Sequence, residues 1–104
     1  MSTVIITARD PLGAGDGTHP VRIAADLARG GEVVTLVLFE DAVTLTRLGH
    51  RDLEVLVGAL DAGVEVLVER EARDRRGVRP IDGVAEATVD QVVGLLGAER
   101  SVWL

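Results

Sequence analysis

Apolar runs and helical apolar stripes alternate along the chain. Continuous β-branched and aliphatic runs are typical of strands buried on both faces, whereas apolar positions that recur every three to four residues predict helices. The predicted strands are Thr3–Ala8, Glu32–Phe39, Val64–Val68, the short segment Val84–Ala87, and Ser101–Leu104. Helices are predicted from Thr18 to about Arg29, from about His50 to Ala62, and from Thr88 onward.

Capping residues and glycines mark the predicted helix boundaries. Thr18 and Thr88 are predicted N-caps, and Pro20 fits the first turn of the first helix. Gly30 and Gly63 follow the last apolar position of the first and second helices. The stripes predicted to face the core are Val21, Ala24, Ala25 and Ala28, then Leu53, Leu56, Val57 and Leu60, and finally Val89, Val92, Val93 and Leu96.

This alternation predicts one fold class. The connections between successive strands are long enough for right-handed crossovers, which parallel strands require. The sequence therefore predicts an α/β protein, a three-layer α/β/α sandwich on a mostly parallel five-stranded sheet. With 104 residues and no linker or repeat, residues 1–104 are predicted to form a single domain.

Composition excludes several classes of function. The net charge of -6 and the single Phe and Trp argue against direct nucleic-acid binding, which needs a basic or base-stacking surface. The lack of Cys excludes disulfides, thiolate metal sites and persulfide chemistry. Only Ser2 and Ser101 are serines, so a serine triad is not expected.

The length of the apolar runs and the start of the chain bear on location. No run approaches the ~20 residues of a membrane span, and the N-terminus does not resemble a signal peptide. We therefore expect a cytoplasmic protein without a membrane partner. An apolar content of 47% in so small an acidic chain favours burial of apolar surface between subunits.

Ligands of open α/β sheets bind beyond the carboxyl ends of the strands, where three loops are expected. The loop Arg9–Gly17 has three alternating glycines before a helix, a weak phosphate-binding pattern. Its spacing is not that of the dinucleotide fingerprint and Asp16 would repel a phosphate, so a turn is the favoured interpretation. The other two loops are Glu40–Gly49 and Glu69–Pro80.

The third loop carries five Arg among acidic residues. This pattern predicts a short solvated helix with internal ion pairs. The alternative is an arginine cluster in which Arg73 or Arg76 holds an anion and Glu69 orients it. Asp10 and Asp41 complete the acidic candidates of this pocket or partner-binding surface.

His19 and His50 are further candidates, each at the start of a predicted helix. Histidine can act as a general base near neutral pH, but an ordinary first-turn position is the simpler interpretation. Two unpaired His without Cys show no ligand spacing, so no metal and no cofactor are predicted.

The order of several segments resembles the DsrE/DsrF-like family, which includes subunits of sulfur relays. The segments are Arg9-Asp10-Pro11, Leu27-Ala28-Arg29-Gly30-Gly31 followed by Glu32-Val33-Val34-Thr35-Leu36, then Phe39-Glu40-Asp41-Ala42-Val43, Ala62-Gly63-Val64-Glu65-Val66 and Arg76-Gly77-Val78. The resemblance covers nearly the whole chain. It implies an α/β/α fold and homo- or hetero-oligomers, often trimers or hexamers.

In active members, the resemblance implies a persulfide-carrying Cys on the loop after strand three, about seven residues before the Arg-Gly pair. Counting back from Arg76 places Glu69 at that position. A carboxylate cannot form a persulfide, and non-carrier subunits of the family also lack the Cys. The resemblance thus predicts a non-catalytic, oligomeric structural or partner-binding subunit.

Two alternatives remain open at this point. One is a small anionic-ligand binder or sensor, with its pocket among the three loops at the carboxyl ends of the strands. The other is an enzyme that uses Glu69 as a general base, with His19 or His50 as a further group.

Overall fold

A computed structural model describes residues 2–8, 18–97 and 100–104 of the chain. Within these ranges, strands and helices alternate as predicted. The strands are β1 Ser2–Thr7, β2 Val33–Leu38, β3 Glu65–Glu69, β4 Val84–Ala87 and β5 Arg100–Trp103. The α-helices are α1 His19–Arg29, α2 Leu53–Asp61, α3 Arg70–Arg76 and α4 Val89–Leu95, and a 3₁₀ helix spans Glu40–Thr46.

The strands form a single sheet in the order β4-β3-β2-β1-β5. Every neighbouring pair is parallel. Helices pack on both faces, which confirms the predicted α/β sandwich and makes the sheet wholly rather than mostly parallel. No helix in the described ranges is long and apolar enough to cross a bilayer.

The first face of the sheet is covered by α1 and α2. Ile5, Leu36 and Val66 lie side by side on this face, because the register pairs Ile5 with Leu36 and Leu36 with Val66. The helices contribute buried residues from their inner stripes, namely Val21, Ala24, Ala25, Leu56 and Ala59. The first face thus carries the larger core.

The second face carries a smaller core. Strand residues of the opposite parity form it together with α4: Val4, Ile6, Val37, Leu67, Ala87 and Val92, with Phe39 and Leu95 packed against them. We call this side of the molecule the α4 face. Since α4 has only seven residues, it covers less of the sheet than α1 and α2 do on the first face.

The inward stripes of α2 and α4 differ from the prediction. Val57 was expected inward but is 39% exposed, because Leu56 and Ala59 occupy the core side and Val57 is turned about 100° from Leu56. In α4, Val92 and Leu95 face the sheet. The other predicted positions, Val89, Val93 and Leu96, are exposed.

The two predicted N-caps also differ. Thr88 forms a full capping box with Gln91, as the pattern indicated. Thr18 makes no side-chain cap, and its hydroxyl instead accepts a hydrogen bond from Arg22 Nε at 3.0 Å. Pro20 lies in the first turn of α1 as predicted.

The α2 orientation gives a matched pair of core variants. We expect Leu56→Ala to lower the free energy of unfolding by about 3 kcal/mol, because it leaves a cavity under α2. The neighbouring Val57→Ala should cost less than about 1 kcal/mol, since its side chain is partly in solvent. Urea denaturation measures both. Equal losses would mean that Val57 faces the core after all.

Candidate functional site

The carboxyl ends of β2 and β3 lie at the same edge of the sheet, because the two strands are parallel neighbours. Beyond this edge β2 continues into the 3₁₀ helix, and β3 continues into α3. The second and third predicted loops therefore meet here, as the fold required. Asp10 and the glycines of the first loop lie outside the described residues.

Glu69 is both the last residue of β3 and the N-cap of α3. Its side chain is buried, with 3% of the residue exposed, and lies on the α4 face together with Leu67. The carboxylate accepts a hydrogen bond from the backbone N–H of Glu71. The side chain thus satisfies one of the free donors at the start of the helix, which is the ordinary work of an N-cap.

Arg76 meets two carboxylates of the 3₁₀ helix. Its Nη2 lies 2.8 Å from Asp41 Oδ1 and 3.2 Å from Glu40 Oε2. Arg75 Nη2 adds a contact of 2.7 Å to Glu40 Oε1. The hydrogen bond to Asp41 is the main reason why the pKa of the Arg76 guanidinium is raised above its ordinary value. These pairs tie α3 to the segment that follows β2.

Arg73 meets a different set of acids on another side of α3. Its guanidinium lies 2.7 Å from Asp74 and 2.7 Å from Glu86 of β4, and Arg70 adds a contact of 3.5 Å to Glu86. The hydrogen bond to Asp74 raises the pKa of Arg73 above its ordinary value, and the charge of Glu86 adds to the effect. Apart from Arg73–Asp74, the described ion pairs of α3 reach other elements. The expected i,i+3 and i,i+4 pairs within the helix are not among them.

These contacts determine what the arginines can do. A groove of about 350 Å³ is lined by Val68, Arg73 and residues 80–86. Arg73 on its wall is already paired with Glu86, and Arg76 is paired with Asp41. An anion would have to displace a carboxylate at either position. The anionic-ligand hypothesis stays a prediction from the sequence.

Glu40 adopts an unusual backbone conformation. Its φ is +47°, in the left-handed region that residues with a Cβ rarely adopt. The residue directly follows Phe39, and its carboxylate is held by both Arg75 and Arg76. The turn thus aims the Glu40 side chain at α3. The contacts of Glu40, Arg75 and Glu86 were not predicted from the sequence, since they join segments distant along the chain.

The two histidines have different surroundings. His19 is exposed at the start of α1. His50 is 5% exposed, and its Nδ1 accepts a hydrogen bond of 3.0 Å from the backbone N–H of Asp52. In the neutral ring the proton is therefore on Nε2, which is buried and has no hydrogen-bond partner among the residues that the structure describes. The described contacts join neither ring to Glu69, Arg73 or Arg76. Among the described residues, no group of three or more His, Cys, Asp or Glu side chains could hold a metal ion.

Comparisons with solved structures identify the fold. The ychN protein from E. coli superposes with a TM-score of 0.87 over 100% of both chains, at 24% identity. MTH1491 from Methanobacterium thermoautotrophicum, described as a protein of unknown function, superposes with a TM-score of 0.75 over 97% of both chains, at 12% identity. No family model and no curated protein matches the chain by sequence. At these identities the likeness is one of fold.

The N-cap role of Glu69 can be measured. We expect Glu69→Ala to lower the free energy of unfolding by about 1 kcal/mol, because the Glu71 N–H loses its acceptor. Glu69→Asp should retain most of the stability, since Asp is a preferred N-cap. Urea denaturation of the three proteins tests this. An alanine variant as stable as the unchanged protein would contradict the capping role.

The strained turn gives a second test. Glu40→Ala and Glu40→Gly both lose the two ion pairs, so their difference reports on the backbone. A residue with a Cβ costs about 1–2 kcal/mol in the left-handed conformation. Glycine avoids this cost, but it loses roughly 0.5–1 kcal/mol more backbone entropy on folding than alanine does. We expect the Gly variant to be more stable than the Ala variant by roughly 0.5–1 kcal/mol in thermal unfolding. The usual order, with Ala the more stable, would contradict this.

Proposed function

We propose that the chain is a cytoplasmic DsrE/DsrF-like protein that acts as a non-catalytic, oligomeric subunit with a structural or partner-binding role. The likeness in fold to the ychN protein over the full chain supports a protein of this architecture. The DsrE/DsrF-like segments noted in the sequence support the family. The role rests on two features of the chain, one at α4 and one at Glu69.

The observation that carries the proposal is the second apolar stripe of α4. Val92 and Leu95 already anchor this helix on the sheet. Val89, Val93 and Leu96, spaced at i, i+4 and i+7, form a stripe that remains exposed, with Val93 exposed to 59%. A helix that is apolar on two sides is normally covered on both, and an exposed apolar surface of this kind marks a protein contact.

Glu69 supports the non-catalytic part of the proposal. The resemblance places the sulfur-carrying Cys of active members at this position, and the chain contains no Cys at all. The Glu69 carboxylate is buried and bound to the start of α3. A carboxylate in that position stabilises the helix but cannot carry sulfur. The fold would therefore be kept for assembly after the carrier function is lost.

The assembly can be tested with a matched pair of aspartate variants. We expect the unchanged protein to be oligomeric by native mass spectrometry, either with itself or with a homologous subunit from its host. Val93→Asp should lower the mass of the assembly, because it places a charge in the apolar stripe. Leu48→Asp is the control, since Leu48 is also exposed but lies in the turn after the 3₁₀ helix.

Two results would contradict the proposal. One is a monomer at micromolar concentration with no partner recovered from the host. The other is stable transfer of sulfur to this chain from a persulfide donor, which the proposal excludes for a protein without Cys. Circular dichroism of each variant shows whether the loss of assembly occurs in a folded chain.

A further inference from the structure

The two edges of the sheet differ in how they are protected. At one edge, β4 carries Glu86, which is held by Arg70 and Arg73. Charged side chains of this kind keep an edge strand from pairing with another chain. At the other edge, β5 has no acidic residue between 100 and 104, although the whole chain has 17. Residues 100–104 therefore place no acidic side chain in the way of a second copy of this acidic chain.

Each side-chain face of β5 carries apolar residues that are incompletely covered. Trp103 lies on the α4 face, paired in register with Ile6, and is 64% exposed although its ring stacks on Phe39 at 6.4 Å. On the other face, Val102 and Leu104 line an apolar groove of about 260 Å³ beside α1. No strand in the described ranges pairs with the outer side of β5.

The backbone of β5 shows which groups face outward. The N–H of Leu104 donates to the carbonyl of Ile6 at 2.8 Å, so residue 104 faces β1. Backbone groups alternate along a strand, and residues 100 and 102 therefore face β1 as well. Ser101 and Trp103 are left with their N–H and C=O groups directed away from the sheet. Because these two residues are separated by one position, the outward groups of one β5 strand match those of a second β5 strand that runs antiparallel to it.

We infer that two copies of this chain join through β5, antiparallel and about a two-fold axis at Val102, into one continuous ten-stranded sheet. Ser101 of each copy then exchanges both backbone hydrogen bonds with Trp103 of the other, which gives four bonds. Val102 lies opposite its own copy in the narrow, non-hydrogen-bonded pair. This inference rests on the proposed oligomeric role and names the partner and the contact.

Side chains must supplement this short ladder, because a stable interface buries roughly 1,200–2,000 Å². On the α4 face, each Trp103 would cover Ser101 of the other copy and gain a second apolar contact beside Phe39. On the α1 face, Val102 and Leu104 would meet their counterparts next to the open groove. Aromatic residues that stay exposed in a monomer are typical anchors of such contacts.

A cysteine variant tests the two-fold axis directly, since the chain has no Cys of its own. In the narrow antiparallel pair, Cα atoms lie about 4.5 Å apart, within the range that a disulfide spans. We expect Val102→Cys to convert under mild oxidation into a covalent dimer of twice the 11.0 kDa chain mass. Leu48→Cys is the control for chance collision, because Leu48 is more exposed than Val102.

A second pair of variants tests the backbone contact without a cross-link. Ser101→Pro removes an outward N–H but none of the bonds to β1, so it should abolish the dimer in sedimentation analysis. Ser101→Ala keeps the N–H and should leave the dimer intact. Thermal unfolding followed by circular dichroism verifies that the proline variant is folded.

The outcomes separate this inference from the proposed function. The β5 contact alone would be overturned if Val102→Cys cross-links no faster than Leu48→Cys while the protein is still oligomeric and sensitive to Val93→Asp. A protein that is monomeric and without partners would overturn both. Rapid cross-linking of Val102→Cys together with the loss of the dimer in Ser101→Pro would establish the contact.

Discussion

A wholly parallel sheet needs cover on both faces, because its strands are apolar on both sides. Helices of eleven and nine residues cover one face of this sheet, whereas α4, with seven residues, lies on the other. The imbalance leaves apolar groups in solvent on the α4 face, with Trp103 at its rim. The proposed assembly is the way in which a chain of this length would complete its second face.

The same sheet also determines the chemistry at its carboxyl edge. β3 ends in a buried residue at the start of α3, where a side chain is fixed by the backbone of the next helix. Glu69 uses this position to cap the helix. The arginines of α3 are paired with Glu40, Asp41 and Glu86. These ion pairs therefore hold the carboxyl edge together, in keeping with the proposed structural role.

The strands and helices were predictable because local patterns determine them, and the position of Glu69 after the third strand followed from those patterns. The pairing of Arg76 with Asp41 was not predictable in this way, because it joins two segments that lie 35 residues apart along the chain. The outward side of α4 was also missed. Its four apolar positions fit a helix, but only the packing shows that Val92 and Leu95 face the sheet while Val93 does not. Periodicity identifies apolar residues, not which of two apolar sides the rest of the chain covers.

The α4 stripe and the β5 edge differ in the kind of contact they offer. In the proposed dimer, the outward backbone groups of β5 pair with those of a second β5, and the result is a closed two-fold pair. The stripe Val89, Val93 and Leu96 presents side chains alone, and these fit any apolar surface of matching shape. Two contacts of different kinds on one chain permit assemblies larger than a dimer, because each pair formed through β5 still carries two free α4 stripes. A change at one surface can then reduce the size of the assembly without dissolving it.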